Sequence, residues 1–186
     1  MDITIRTAKP ADAEMLNKIY TYYIEKTAIT FEDVALTDGE FFERMAEIMS
    51  FYPYFVAETD GEIVGYAYAA KFKNRSAYDW SVETTVYVKH EFNKKGVGSL
   101  LYAALEKALK DHGYKNMYAC IAVPKVEDEY LTFGSVIFHE KSGFKTVGRF
   151  VNCGSKFGRW YGMVWMYKNI GRHVKNCARP TRFLYI

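Results

Sequence analysis

The chain has 186 residues, a hydrophobic share of 49%, and a net charge of +3 from 25 basic and 22 acidic residues. This length predicts one domain with a full core, and the mild charge lacks the basic stripe of a nucleic-acid binder. No apolar run approaches the roughly 20 residues that span a bilayer, and no leader pattern precedes the first strand. We therefore expect a cytoplasmic protein without nucleic-acid or membrane partners. Three cysteines without CxxC spacing argue against disulfides and a metal site.

The first part of the chain predicts a strand, two helices and a hairpin. The capping-box residues Thr37 and Glu40 mark the start of the second helix. Asp60-Gly61 is the strongest hairpin signal in the sequence. The expected elements are a strand at 3–7, a helix opened by residues 9–12, a helix from 37 that stops before Pro53, and strands at 54–58 and 63–69.

The later part predicts a strand-helix-strand unit, a short helix and a closing hairpin. The helix that begins near Gly96 carries an apolar face that includes Leu100 and Leu101, and Gly113 is its expected cap. The remaining elements are strands at 80–88 and 117–123, a helix at 135–142, and strands at 146–153 and 161–167 joined by a turn at 154–158. The basic stretch 171–186 has no clear pattern.

The element order β-α-α-β-β-β-α-β-α-β-β mixes hairpins with one crossover. It predicts an α/β (α+β) fold with a mixed, mostly antiparallel sheet and helices on both faces. The strands at 80–88 and 117–123 should be adjacent and parallel. If they diverge at their C-terminal ends, a linear ligand can lie between them.

A phosphate-binding helix start follows the central strand. Residues 93–98 read Asn-Lys-Lys-Gly-Val-Gly, and the first N–H groups of the next helix lack internal partners. Such a helix end holds phosphate through its backbone, and the missing Cβ atoms of Gly96 and Gly98 let a ligand approach. The Gly-Lys-Ser/Thr ending of a nucleotide-binding P-loop is absent, because Ser99 follows Gly98 directly.

These residues resemble the GNAT superfamily of N-acetyltransferases, although Asn93 stands where Gln or Arg is usual. The stretch 74–88, NRSAYDWSVETTVYV, is similar to the phosphinothricin or methionine sulfoximine N-acetyltransferase group, and so is the later segment 138–144, FHEKSGF. The resemblance runs from about Ile3 to Met166. It implies a single GNAT domain at 1–168, followed by a basic tail at 169–186.

The resemblance implies acetyl transfer from acetyl-CoA, the cosubstrate, to the amine of an amino-acid-like substrate by direct attack in a ternary complex. Glu83 is the candidate base, acting through water or with a raised pKa. The alternative is a strand carboxylate that satisfies neighbouring hydroxyls or orients the substrate ammonium. His139 is either the acid for the departing thiolate or a helix histidine hydrogen-bonded beside the cofactor. No metal is implied.

Further residues are implied to hold the two substrates. For acetyl-CoA, the central strand supplies backbone groups, with the Val86 N–H as the thioester donor, and Ser135 replaces an asparagine that the family often uses. The implied acetyl-CoA residues are Val86, Tyr87, Val88, Lys94, Lys95, Gly96, Val97, Gly98, Ser99 and Ser135. The implied acceptor residues are Phe31, Glu32, Arg75, Tyr78 and Trp80. Arg75 can instead be a solvated loop charge, and Tyr78 a core or dimer residue.

Other functions stay open at this stage. The acceptor can be phosphinothricin, methionine sulfoximine or methionine sulfone, which makes the chain a detoxifying enzyme, or another amine such as a polyamine, an aminoglycoside or a protein terminus. A noncatalytic CoA-binding sensor is the alternative from a different class. The resemblance also implies a homodimer.

Overall fold

The computed structural model describes residues 2–185 and contains seven strands and four α-helices within that range. The elements are β1 Thr4–Thr7, α1 Ala13–Lys26, α2 Asp38–Met49, β2 Tyr54–Thr59, β3 Glu62–Lys71, β4 Ser81–Val88, α3 Val97–Asp111, β5 Asn116–Val123, α4 Gly134–Lys141, β6 Lys145–Lys156 and β7 Arg159–Asn169. Their order confirms the order predicted from the sequence.

All seven strands form one sheet in the order β1-β2-β3-β4-β5-β7-β6. Only β4 and β5 pair in parallel, and the other neighbours are antiparallel. Tyr66 of β3 belongs to the core with α1 and α2, whereas Ala67 belongs to the core with α3. Because successive side chains of a strand point to opposite faces, helices cover both faces. The predicted fold class is confirmed.

Two local signals act as their residue types predict. The Thr37 hydroxyl accepts from the Glu40 N–H at 3.2 Å, and the Glu40 carboxylate accepts from the Thr37 N–H at 2.8 Å. Asp60 and Gly61 turn the β2–β3 hairpin with φ values of 52° and 78°, as a type I′ turn requires. Both signals depend only on residues within a few positions of each other.

Two details of the sequence prediction are wrong. The turn of the closing hairpin is Phe157-Gly158 rather than 154–158, because β6 continues to Lys156. Gly154 lies inside the strand, where a Cβ would come within 2.4 Å of the Phe31 ring. Leu100 is 44% exposed, since Tyr102 occupies the buried face of α3 in its place.

The segment after β7 forms no helix or strand up to residue 185, yet it packs on the domain. The Thr181 N–H donates to the His112 carbonyl at 3.0 Å, and the Tyr185 hydroxyl donates to the Tyr52 carbonyl at 2.7 Å. The division into a domain at 1–168 and a tail at 169–186 stays a prediction. Among the described residues, none of the helices is long and apolar enough to cross a membrane.

Candidate active site

An opening in the sheet forms where β4 and β5 diverge. The two strands pair over only three residues of each, from Ser81↔Asn116 to Glu83↔Tyr118. Beyond that point the Tyr118 carbonyl accepts a hydrogen bond from the Thr84 hydroxyl at 3.1 Å. A cavity of about 240 Å³ lies at this divergence.

The cavity reaches both faces of the sheet. Alternation along β4 puts the Glu83 side chain on the α1 and α2 face and the Thr84 side chain on the α3 and α4 face. Both side chains line the cavity, together with Tyr68 and Phe31 on the first side and Tyr102 on the second. Two different molecules can therefore enter from opposite faces and meet between the strands.

The hydrogen bonds of β4 alternate between its two neighbours. The Lys89 N–H, just after β4, donates to the Val64 carbonyl of β3 at 2.8 Å. The Trp80 carbonyl, just before β4, accepts from the Lys115 N–H on the β5 side at 2.9 Å. Odd-numbered residues of β4 thus direct their backbone groups towards β3, and even-numbered residues direct theirs towards β5.

This alternation decides which backbone groups face the opening. The Val86 N–H points between the diverging strands, which is the orientation that its predicted role requires. Val88 faces the same way, but its carbonyl accepts from the Tyr23 hydroxyl at 2.5 Å. The predicted backbone contact of Tyr87 is contradicted, because its backbone groups point towards β3, where the residue pairs with Tyr66.

Glu83 is a half-buried carboxylate without a hydrogen-bond partner among the described residues. Burial raises the pKa of its carboxyl, and the positive charge of Lys73 partly offsets that rise. Lys73 lies over the rings of Phe72 and Trp165, about 5 Å from each centroid. A carboxylate with a raised pKa and unsatisfied lone pairs is suited to accept a proton.

His139 is buried and satisfied on both ring nitrogens. Nδ1 lies 2.7 Å from the Ser135 carbonyl, which can only accept, so Nδ1 carries the proton. Nε2 lies 2.8 Å from the Tyr102 hydroxyl and must accept from it. Burial lowers the pKa of His139 to about 4. The ring is neutral at pH 7, so the geometry favours a hydrogen-bonded helix histidine over an acid.

The predicted phosphate-binding residues lie together at the start of α3. Gly96 adopts a φ of 85° and has no side chain with which to cap the helix, so the first N–H groups lack a partner from the N-cap residue. Lys94 and Lys95 directly precede it. A Cβ on Gly98 would lie 3.1 Å from the Phe138 ring of α4, so Gly98 makes room for α4 as well as for any ligand.

The predicted acceptor residues are only partly brought together. Phe31 lines the cavity, whereas the Glu32 carboxylate is paired with Arg44 at 2.8 Å and keeps one buried oxygen without a partner. Tyr78 packs edge-on against Phe72 at 5.8 Å. Arg75 is exposed in the same segment and does not line the cavity.

The structure contradicts the acceptor-binding role predicted for Trp80. Its indole N–H donates to the Ala178 carbonyl of the tail at 2.8 Å, and its ring lies 6.0 Å from the Arg179 guanidinium. The residue precedes β4, at the opposite end of the strand from the cavity. The indole therefore anchors the tail instead of walling an acceptor pocket.

The sequence interpretation missed several residues of the cavity. Tyr102, Thr84, Tyr68, Thr30 and Cys120 line it, and Lys73 lies near its carboxylate. Tyr102 was detectable in principle, because it interrupts the aliphatic face of α3 with a hydroxyl that needs a buried partner. Thr84 and Cys120 carry no comparable signal, since both residue types are ordinary inside strands.

Comparison with known proteins identifies relatives of this arrangement. Residues 5–165 match the family described as acetyltransferase (GNAT) domain. A phosphinothricin N-acetyltransferase from Streptomyces viridochromogenes is 36% identical over 86% of this chain and 83% of its own. An L-methionine sulfoximine/L-methionine sulfone acetyltransferase from Salmonella typhimurium is 28% identical over 92% and 97%. The structure of a phosphinothricin acetyltransferase from Sinorhizobium meliloti in complex with AcCoA superposes with a TM-score of 0.85, at 30% identity over 100% and 96%.

Proposed function

The chain belongs to the acetyltransferase (GNAT) domain family, and from this premise we propose that it transfers an acetyl group from acetyl-CoA to the amine of a small amino-acid-like substrate. Acceptors of the phosphinothricin, methionine sulfoximine or methionine sulfone type are proposed because the named relatives act on them. The observation that carries the proposal is a cavity open to both faces of the sheet, with the Glu83 carboxylate on one side and the Val86 N–H at the divergence.

The described residues fit acetyl-CoA, which supplies an activated acetyl group as a thioester. The uncapped start of α3, with Lys94 and Lys95, suits a pyrophosphate. The backbone groups of the even-numbered β4 residues have no β5 partner beyond the divergence. They can therefore form hydrogen bonds with the amides of an extended pantetheine arm. The Val86 N–H would then donate to the thioester carbonyl oxygen and stabilise the negative charge that develops there. Ser135 lines the same side of the cavity.

Glu83 removes the proton that the acceptor ammonium must lose before its nitrogen can attack. Its raised pKa narrows the gap between an ordinary carboxylate, near 4, and an amine, near 8. A single water between the two groups can complete the transfer. Because acceptor and thioester reach the divergence from opposite faces, direct attack in a ternary complex needs no covalent acetyl-enzyme.

Tyr102 is the group that we assign to the departing thiolate, and His139 positions it. A CoA thiol has a pKa of about 8.5, like cysteine, whereas burial raises the pKa of Tyr102 above its ordinary value. Full proton transfer from the phenol is therefore unfavourable. Tyr102 stabilises the thiolate as a hydrogen-bond donor, by turning its O–H from His139 Nε2 towards the sulfur. The Ser135–His139–Tyr102 chain of hydrogen bonds holds the hydroxyl at the cavity wall.

The acceptor side combines an apolar wall with nearby positive charge. Phe31 and Met163 line the cavity on the Glu83 side. Lys73 is close enough to influence the pKa of Glu83, and Arg75 follows in the same segment. An acceptor with a carboxylate or phosphinate beside its amine would pair with Lys73, which favours amino-acid-like substrates over polyamines.

We also propose a homodimer formed through the β6–β7 hairpin. Four large apolar side chains of this edge hairpin are more than half exposed: Val147, Phe150, Val151 and Trp160. An apolar strand edge of this kind favours association with another surface. Replacing Val151 and Trp160 by glutamate should convert a dimer into a monomer in sedimentation experiments.

We propose the cytoplasm as the location of the protein. It is a reducing compartment, which suits the three cysteines, since all three are free in the structure.

A thiol-release assay with acetyl-CoA tests the proposed activity. We expect release with phosphinothricin, methionine sulfoximine and methionine sulfone, and little with spermidine or an aminoglycoside. The acetylated product should be confirmed by mass spectrometry. Release with the polycations alone would contradict the proposed acceptor class, and CoA binding without release for any acceptor would favour a sensor.

A further inference from the structure

A second cavity, of about 640 Å³, lies at the opposite end of the sheet from the catalytic cavity. It is located where β4 and β5 begin, and no described residue lines both cavities. Its walls come from the end of α2, the end of β3 and the tail. We call it the basal cleft, lined mainly by Glu47, Phe51, Tyr52, Lys71, Asp79 and Tyr114. Its volume falls within the range of small-molecule sites.

Among the residues that the structure describes, the basal cleft presents one cation and one anion without an ion-pair partner. Asp79 is neutralised by Arg179 of the tail, at 2.7 Å. Lys71 and Glu47 form no ion pair with any other residue in the range 2–185, although both line the cleft. A ligand that carries charges of both signs would find a partner for each.

Aromatic residues form the remaining wall. The Tyr52 and Tyr114 rings lie 6.1 Å apart, and the Phe51 ring lies 5.1 Å from Tyr52. Tyr114 is only 2% exposed, and its hydroxyl is buried without a hydrogen-bond partner among the described residues. A buried hydroxyl without a partner is unfavourable, and a polar group of a bound molecule would relieve that cost.

We propose that the basal cleft binds a zwitterionic amino acid or dipeptide with an aromatic side chain. Glu47 pairs with its ammonium, Lys71 pairs with its carboxylate, and its ring packs against Phe51 and Tyr52. Acetylation removes the ammonium charge, so the cleft distinguishes a free amino group from an acetylated one. This is a binding site separate from the site of acetyl transfer.

Isothermal titration calorimetry of the full chain tests the ligand chemistry. The probes are phenylalanine, phenylalanylglycine, N-acetylphenylalanine and phenylalaninamide. We expect the two zwitterions to bind, and the two derivatives that lack one charge to bind about tenfold more weakly. The tighter zwitterion shows whether the source is an amino acid or a dipeptide. Equal binding of N-acetylphenylalanine would overturn the proposal.

Substitutions locate the binding. Lys71→Gln and Glu47→Gln should each weaken binding about tenfold, and Tyr114→Phe, which removes one hydroxyl, about threefold. Lys125→Gln, a matched change of an exposed lysine elsewhere, should have no effect. Thermal unfolding confirms that each variant is folded.

A variant of the catalytic cavity separates the two sites. Glu83→Gln should leave the binding of phenylalanine to the basal cleft unchanged. Binding lost in Glu83→Gln but kept in Lys71→Gln would place the ligand in the catalytic cavity and refute the proposal. The absence of measurable binding by either zwitterion up to about 10 mM would refute it as well.

Discussion

The two sides of the opened sheet carry titratable side chains that differ in whether their hydrogen-bonding groups have partners. On the α1 and α2 face, Glu83 has no hydrogen-bond partner among the described residues, and burial raises the pKa of its carboxyl. On the α3 and α4 face, His139 has both ring nitrogens bonded, and burial lowers its pKa to about 4. The unsatisfied group is available for chemistry, whereas the satisfied group fixes the position of a neighbour.

Glu83→Gln gives the largest expected effect. The amide keeps the shape of the side chain but cannot take a proton, so the turnover number should fall on the order of 100-fold. CoA binding should be retained, because Glu83 lies on the acceptor face. Steady-state kinetics with saturating acetyl-CoA measures the change, and Glu25→Gln, an exposed carboxylate on α1, is the control. Turnover like that of the wild type would show that Glu83 is not the base.

The pH dependence of the free energy of unfolding tests the state of His139 on the α3 and α4 face. The unfolded chain protonates His139 near its ordinary pKa of 6.5, and the folded protein only near 4. The unfolded state therefore binds more protons between these values, and stability falls as the pH falls through this range. These two pKa values correspond to a loss of about 2 kcal/mol between pH 7 and pH 5.

Urea unfolding of His139→Gln at both pH values checks this contribution. The variant should be less stable at pH 7, and its loss of stability on going to pH 5 should be smaller by about 2 kcal/mol. His90→Gln, a change of an exposed histidine, should keep the wild-type dependence. If His139→Gln keeps it too, His139 does not stay neutral when the protein folds.

Tyr102→Phe should have a smaller effect on turnover. The Tyr102 O–H exchanges a neutral hydrogen bond to His139 for one to a charged thiolate, a net gain of about 1 kcal/mol. Losing that gain should slow turnover about fivefold. The KM of the acceptor should not change, because Tyr102 lies on the opposite face. A rise in that KM with unchanged turnover would argue against this assignment.

Lys73→Gln sharpens the comparison with the smallest expected change. Lys73 lowers the pKa of Glu83 and so opposes the effect of burial. Its removal should raise that pKa further, and the acid limb of the turnover profile should move to higher pH. Lys125→Gln is the matched control, and an acid limb that stays in place would exclude an electrostatic link between Lys73 and Glu83.

The outcome of the sequence predictions depended on how far apart the contributing residues lie. The Asp60-Gly61 hairpin and the Thr37 cap are confirmed, because a turn or a cap needs only adjacent residues. The extent of β6 was not predicted. Gly154 is a strand residue that packs against the ring of Phe31, which lies more than a hundred residues earlier in the chain. Distant packing of this kind leaves no local signal.

The candidate site shows the same division. The sequence indicated Glu83 and Val86 through the stretch 74–88 in which both lie. Alternation along β4 then directs the Glu83 side chain to the α1 and α2 face and the Val86 N–H towards the divergence. It could not show that the Trp80 indole meets Ala178, 98 residues later. It could not give the partner of His139 either, because Tyr102 comes from another helix.

The sequence by itself determined the order of the elements, the parallel pair at the centre of the sheet and the uncapped start of α3. These features follow from periodicity, turn residues and helix-end chemistry, which act within a short stretch of chain. Only the tertiary structure decided that β4 and β5 separate after Glu83, that His139 stays neutral against Tyr102, and that Trp80 binds the tail. Burial and hydrogen-bond partners set these properties, and both depend on which distant elements pack together.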